Sequence, residues 1–207
     1  MTARAADTFV GKVADLDLGA ERFVRLGFDA DAALKVWETL GDVPTERAAE
    51  RIADLKALGF ADPVKMITSL PAILGLAIDN IRGKIADLKA LGFADPVKMI
   101  TSLPAILGYA IDNIRGKIAD LKALGFEGRA IAEGGFPQIF SYAPERLALA
   151  GGVVRRLEDG EDRHLVALIV KRREVIERVA LAAPRTWAEA RAAMKRPAAG
   201  ASIAAAA

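Results

Sequence analysis

Few side chains of this chain are equipped for covalent or metal chemistry. There is no cysteine and a single histidine, His164. Disulfides, thiolate nucleophiles, thiolate metal sites and histidine pairs are therefore excluded. The sequence holds no glycine-rich phosphate loop after a strand, no nucleophile paired with a base and no acidic cluster at metal-ligand spacing. The expectation is a protein without catalysis, cofactor, metal or small-molecule substrate. What remains is cationic, and it is periodic. Lys56, Lys89 and Lys122 recur at 33-residue intervals, as do Arg82 and Arg115, Lys65 and Lys98, and Arg51, Lys84 and Lys117. Helices pack ~8–10 Å apart, so stacked repeats would turn each set into rungs able to follow phosphates. Half or more of protein–DNA hydrogen bonds go to the backbone. The competing reading is a solvated surface that keeps a helical array soluble.

Two further groups of residues join the candidates. Arg155, Arg156, Lys171, Arg172 and Arg173 enrich the C-terminal part, as a phosphate clamp or as the polar outer face of a terminal cap. The only two tyrosines, Tyr109 and Tyr142, share one repeat position with Leu76 and, roughly, Val43. They would either stack on bases, one per repeat, or anchor one repeat on the next. His164 is expected at the surface or as a local hydrogen bonder. The net charge of +2 conceals a gradient, with net −4 over residues 1–50, +2 over 51–116, zero over 117–144 and +4 over 145–207.

These residues are carried by a repeat. Residues 51–83 and 84–116 differ at two of 33 positions, Arg51/Lys84 and Leu76/Tyr109, and the block restarts identically over 117–126. A fixed period of this length means stacked helical units, none of which buries its apolar face alone. Diverged copies flank the pair. Leu-Gly-Phe stands at Leu26–Phe28, Leu58–Phe60, Leu91–Phe93 and Leu124–Phe126, and Pro71 and Pro104 are followed in step by Pro137. The predicted division is an N-terminal helical cap over 1–26 and four repeats over 27–59, 60–92, 93–125 and 126–159. A C-terminal cap over 160–196 and an Ala-rich tail over 197–207 complete it.

Each repeat predicts two helices. Asp62-Pro63 starts the first, with Asp as N-cap and Pro at N1, and Val64, Ile67 and Leu70 give its apolar stripe. Pro71–Gly75 suits one 3₁₀ turn. The second helix runs from about Ile78 to Leu91 with Ile78, Ile81, Ile85, Leu88 and Leu91 on one face, and Gly92 stops it. Gly83, Ala86 and Ala90 form an opposite face of small residues, suited to close approach by a neighbouring helix or a nucleic-acid backbone. A single helix is expected over about Asp162–Leu181. Thr186-Trp-Ala-Glu189 is a capping-box pattern that opens a last short helix.

The 207 residues, 53% apolar and 27% charged, suffice for a hydrophobic core and exclude a wholly disordered chain. No apolar run approaches the ~18 residues of a membrane span, and no leader pattern is evident. About a fifth of the residues are alanine, and arginine, glycine and aspartate are common. That composition favours a GC-rich bacterial source and a cytoplasmic protein.

Four Leu-Gly-Phe landmarks, the acidic-proline helix starts, the P-x-I-L-G segments and an apolar residue every seven (Pro71, Leu74, Ile81, Leu88 and Pro104, Leu107, Ile114, Leu121) resemble the mTERF (mitochondrial transcription termination factor) family. Phe136–Leu147 resembles it further, and the likeness covers roughly residues 24–160. The resemblance implies an all-α solenoid of helix pairs with short 3₁₀ turns. It implies binding of duplex DNA, or RNA in some members, in transcription termination, transcription regulation or related nucleic-acid metabolism. It would place the protein in a mitochondrion or plastid as the alternative compartment. A monomer without membrane contact is expected. Two rivals stand beside it: a helical scaffold that binds a protein or peptide, and a TAL-like reader of one base per repeat, which the P-A-I-L-G segment fits poorly.

Overall fold

The computed structural model describes residues 18–40 and 44–196, and all regular structure among them is helical. The tail expected over 197–207, most of the N-terminal cap and Val43 lie outside the described residues. The chain divides into two compact units, 1–109 and 110–207, parted inside the block that begins at Lys84.

In the first unit, α1 (Leu18–Val24), α2 (Ala30–Leu40) and α3 (Thr45–Ala57) precede α4 (Pro63–Ser69) and a 3₁₀ turn, Pro71–Gly75. The pattern repeats as α5 (Ile78–Ala90), α6 (Pro96–Ser102) and a second turn, Pro104–Gly108. The starts and stops are written locally. The Asp62 carboxylate accepts from the Lys65 amide at 2.9 Å, Asp95 does the same for Lys98, and proline follows each as the first helical residue. Every Leu-Gly-Phe is a helix stop of one kind. Gly27, Gly59, Gly92 and Gly125 take φ from 82° to 97°, a region open to glycine and costly for residues with a Cβ. The phenylalanine amide then bonds the carbonyl five residues back, as Phe93 does to Leu88 at 3.2 Å. This is the Schellman arrangement. It folds Phe28, Phe60, Phe93 and Phe126 into the core, each at most 3% exposed, and such burial contributes about 2–3 kcal/mol per ring.

The expected faces hold in part: of the second-helix face, Ile78, Ile85 and Leu91 are only half-buried. Ile81 and Leu88 are fully buried, as are Ile67, Ile73 and Leu74 at 0–1% exposure. On α4, however, the buried set is Pro63, Met66 and Ile67, while Val64 and Leu70 are half-buried. A helix of two turns buries an arc centred on its i, i+3, i+4 residues, and the three-residue stripe missed Met66.

The second unit contains α7 (Ile111–Ala123), α8 (Gly128–Glu133), a third turn (Pro137–Ser141), α9 (Pro144–Arg155), α10 (Asp162–Ile169), α11 (Arg173–Leu181) and α12 (Trp187–Lys195). The single helix expected over Asp162–Leu181 is in fact α10 and α11, broken at 170–172. No glycine or proline marks the break. The Arg146 side chain on α9 makes it, because its Nε and Nη2 donate to the Ile169 carbonyl at 3.0 and 2.8 Å and Nη2 also bonds the Lys171 carbonyl. Carbonyls freed at a helix end are thereby satisfied by a cation from another element. Leu165, Leu168, Ile169, Ile176 and Val179 remain buried, whereas Val175 stands half-exposed.

Candidate nucleic-acid interface

The cationic rungs are not equivalent once placed. Arg51 on α3 donates through Nη2 to the Leu76 carbonyl, just past the first 3₁₀ turn. Lys84 on α5 donates to the Tyr109 carbonyl at the same point of the next block, and Lys117 on α7 to the Phe140 carbonyl inside the third turn. Arg146 extends the series to Ile169 and Lys171. Each spans 23–25 residues. A helix thus staples itself to the segment that follows it through a cation on a backbone carbonyl. Burial pushes the Lys117 ammonium below the ordinary lysine value. Lys84 and Lys117 are half-buried, so these two candidates serve the fold. The two positions that differ between the near-identical blocks, Arg51/Lys84 and Leu76/Tyr109, are the two ends of this one hydrogen bond.

The other rungs face solvent. Lys56, Lys89 and Lys122 lie in the last turns of α3, α5 and α7, and Lys65 and Lys98 in the first turns of α4 and α6. Lys56, Lys65, Lys89, Lys98 and Lys122 are all exposed. None of these five lysines pairs with a carboxylate among the described residues. Arg82 and Arg115 are also exposed, but each pairs with the aspartate three residues before it, Asp79 or Asp112. Such surface pairs contribute about 0–1 kcal/mol, too little to prevent exchange for a phosphate. Arg82 and Lys89 lie seven residues apart on one flank of α5, beside the buried Ile81 and Leu88. The small-residue face is open: Gly83, Ala86 and Ala90 are exposed, and a Cβ on Gly83 would meet nothing within 4 Å. Among the described residues no neighbouring helix closes on Gly83, contrary to the packing role expected first.

The C-terminal candidates divide likewise. Arg155 is held by the protein. Its Nε donates to the Leu124 carbonyl at 2.9 Å and Nη2 to that of Gly125, with the guanidinium 3.9 Å above the Phe126 ring and Asp162 3.8 Å away. It closes the C-terminus of α7, where the helix dipole favours a cation. Arg173 pairs with Glu177 at 2.8 Å, which raises its pKa further. Arg156, Lys171 and Arg172 are exposed. Tyr142 stacks on Phe136 with ring centres 6.2 Å apart and carries the Arg146 guanidinium 5.0 Å over its ring. The Tyr109 carbonyl takes the Lys84 staple. Both tyrosines sit at the joint between a turn and the next helix.

His164 is the local hydrogen bonder expected, though buried at 6% exposure. Its Nδ1 accepts from the Glu161 amide at 3.2 Å, and its ring stacks 4.4 Å from Trp187. Arg146 escapes a reading by period, because it stands outside the 33-residue register of the other staples. Among the described residues there is no cluster able to hold a metal ion and no helix long and apolar enough to cross a membrane. The chain matches no protein-family model, no curated protein and no solved structure.

Proposed function

We propose that this chain is a non-enzymatic nucleic-acid-binding protein. Its 33-residue units stack as a solenoid that grips duplex DNA by phosphate contacts, with modest sequence readout, in transcription regulation, termination or a related step. One observation carries the reading. At the same point of successive blocks the second helix keeps a lysine in solvent without a carboxylate partner (Lys56, Lys89, Lys122), beside an arginine held only by a weak surface pair (Arg82, Arg115). The aspartates at the first-helix starts are already engaged by backbone amides and repel a phosphate less than free carboxylates would. The resemblance to the mTERF family supports the same reading.

Changing Arg82, Lys89, Arg115 and Lys122 together to glutamate is expected to abolish binding to a short duplex at low salt while leaving the circular dichroism spectrum intact. Undiminished binding overturns the interface. Parallel titrations with single-stranded DNA and RNA identify the preferred strand form, and an RNA preference would reassign the target without moving the site.

A further inference from the structure

An open trough of about 540 Å³ lies in the second unit, between the end of α10, the start of α11 and the length of α12. Its floor is apolar: Val170, Val175, Trp187 and Met194 line it. Val170 is one of the few large apolar residues left exposed among those described, at 48%. One face of the Trp187 ring stacks on His164, and the indole also borders the trough. The rim is cationic, with Lys171 from one side and Arg191 and Lys195 from α12, and no carboxylate among the described residues lines it. Among those residues, none of these three cations is in an ion pair. The nearby acids are engaged elsewhere or lie outside the lining. Glu177 pairs with Arg173, Glu189 accepts from the Arg185 amide, and Glu174 is exposed away from the trough.

The spacing along α12 identifies the occupant. Trp187, Arg191, Met194 and Lys195 follow i, i+4, i+7, i+8, a single helix face two turns long, about 12 Å at 1.5 Å per residue. Such a trough is open on one side and does not enclose a small molecule as a ligand pocket that buries most of its ligand does. It matches a second helix laid alongside, with apolar anchors on the floor and acidic side chains against the rim. We propose that this trough docks an amphipathic helix of a partner protein, with leucine-type anchors at i, i+3 or i+4, and i+7 and with glutamate or aspartate flanking them. The site shares no residue with the phosphate rungs of α5 and α7.

The test uses the full chain carrying Trp37→Phe, so that Trp187 alone reports by fluorescence. The probe is a synthetic peptide of about four helical turns, with leucine at i, i+3, i+4 and i+7 and glutamate at most other positions. A saturable change in Trp187 emission is expected. The affinity should fall at least tenfold in Arg191→Glu/Lys195→Glu and in Met194→Glu, each checked for unchanged circular dichroism. The same peptide with lysine in place of glutamate should not bind. Equal binding of both peptides, or binding untouched by these variants, overturns the proposal. So does displacement of the peptide by laurate at lower concentration, which would make this a small-amphiphile site. A concentration-dependent Trp187 change in the protein alone, matched by dimerisation in sedimentation, also overturns it. The Arg82→Glu/Lys89→Glu variant should bind the peptide normally, which separates this surface from the nucleic-acid reading.

Discussion

Arg51 and Lys84 occupy one repeat position, and what separates them is unmet hydrogen bonding. Arg51 is 8% exposed, and its Nε and Nη1 find no hydrogen-bond partner, with Asp54 only within 3.7 Å of Nη1. Lys84 does the same work with one rotatable ammonium on the Tyr109 carbonyl. Unsatisfied buried donors cost about 1–3 kcal/mol, and lysine shows no such deficit. Arg51→Lys is therefore expected to stabilise the protein by about 1 kcal/mol, read as a higher urea midpoint at constant slope; a lower midpoint refutes it. Lys117 makes the third staple, and its lowered pKa has a pH consequence. Between its folded value and the ordinary lysine value, the unfolded chain binds the extra proton and the folded chain does not. Stability contributed by this residue therefore rises as pH climbs through that window. Lys117→Met should flatten the rise in melting temperature across the alkaline range, and an unchanged profile would contradict the assignment. Lysines at 33-residue spacing look alike in sequence; whether one reaches a carbonyl 25 residues away or points to solvent depends on the turn that folds beneath it.

The helices themselves are legible in sequence where their ends are encoded by near neighbours. Asp62-Pro63 starts a helix because one carboxylate reaches one amide, and Leu-Gly-Phe ends one because only glycine takes φ near 90° cheaply. The break between α10 and α11 is not legible, because its cause is Arg146, 23 residues before Ile169. Arg146→Met should leave the carbonyls of Ile169 and Lys171 unpaired and loosen this junction. Amide hydrogen exchange at residues 168–174 is expected to accelerate markedly, with α5 and α6 unaffected; equal protection would mean the break is intrinsic. The small-residue strip gives a prediction of opposite sign. Gly83 and Gly116 sit mid-helix, and a methyl group added at either would meet nothing within 4 Å. Gly83→Ala and Gly116→Ala should each stabilise by about 1 kcal/mol, measured as urea midpoints. The same variants report on function: where a nucleic-acid backbone lies against the strip, the added methyls weaken binding although the protein is more stable.

For the whole molecule a net charge of +2 provides little long-range steering, so under the proposed function the affinity would rest on which cations stand at the surface. The structure separates the periodic cations into those held at carbonyls and those at the surface: Arg51, Lys84 and Lys117 on one side, and Lys56, Lys65, Lys89, Lys98, Lys122, Arg82 and Arg115 on the other. If the second-helix residues Lys56, Arg82, Lys89, Arg115 and Lys122 each neutralise one phosphate, the slope of log affinity against log salt is about −4.5 for duplex DNA. Replacing Lys89 with methionine removes one counterion released on binding and should lower the magnitude of the slope by about 1. Lys84→Met should leave the slope unchanged and instead lower the urea midpoint, because its ammonium is engaged with the Tyr109 carbonyl. A slope that shifts equally in both variants would mean that the staples open to meet phosphate, and a slope near zero in the wild-type chain would remove nucleic acid as the partner of these rungs.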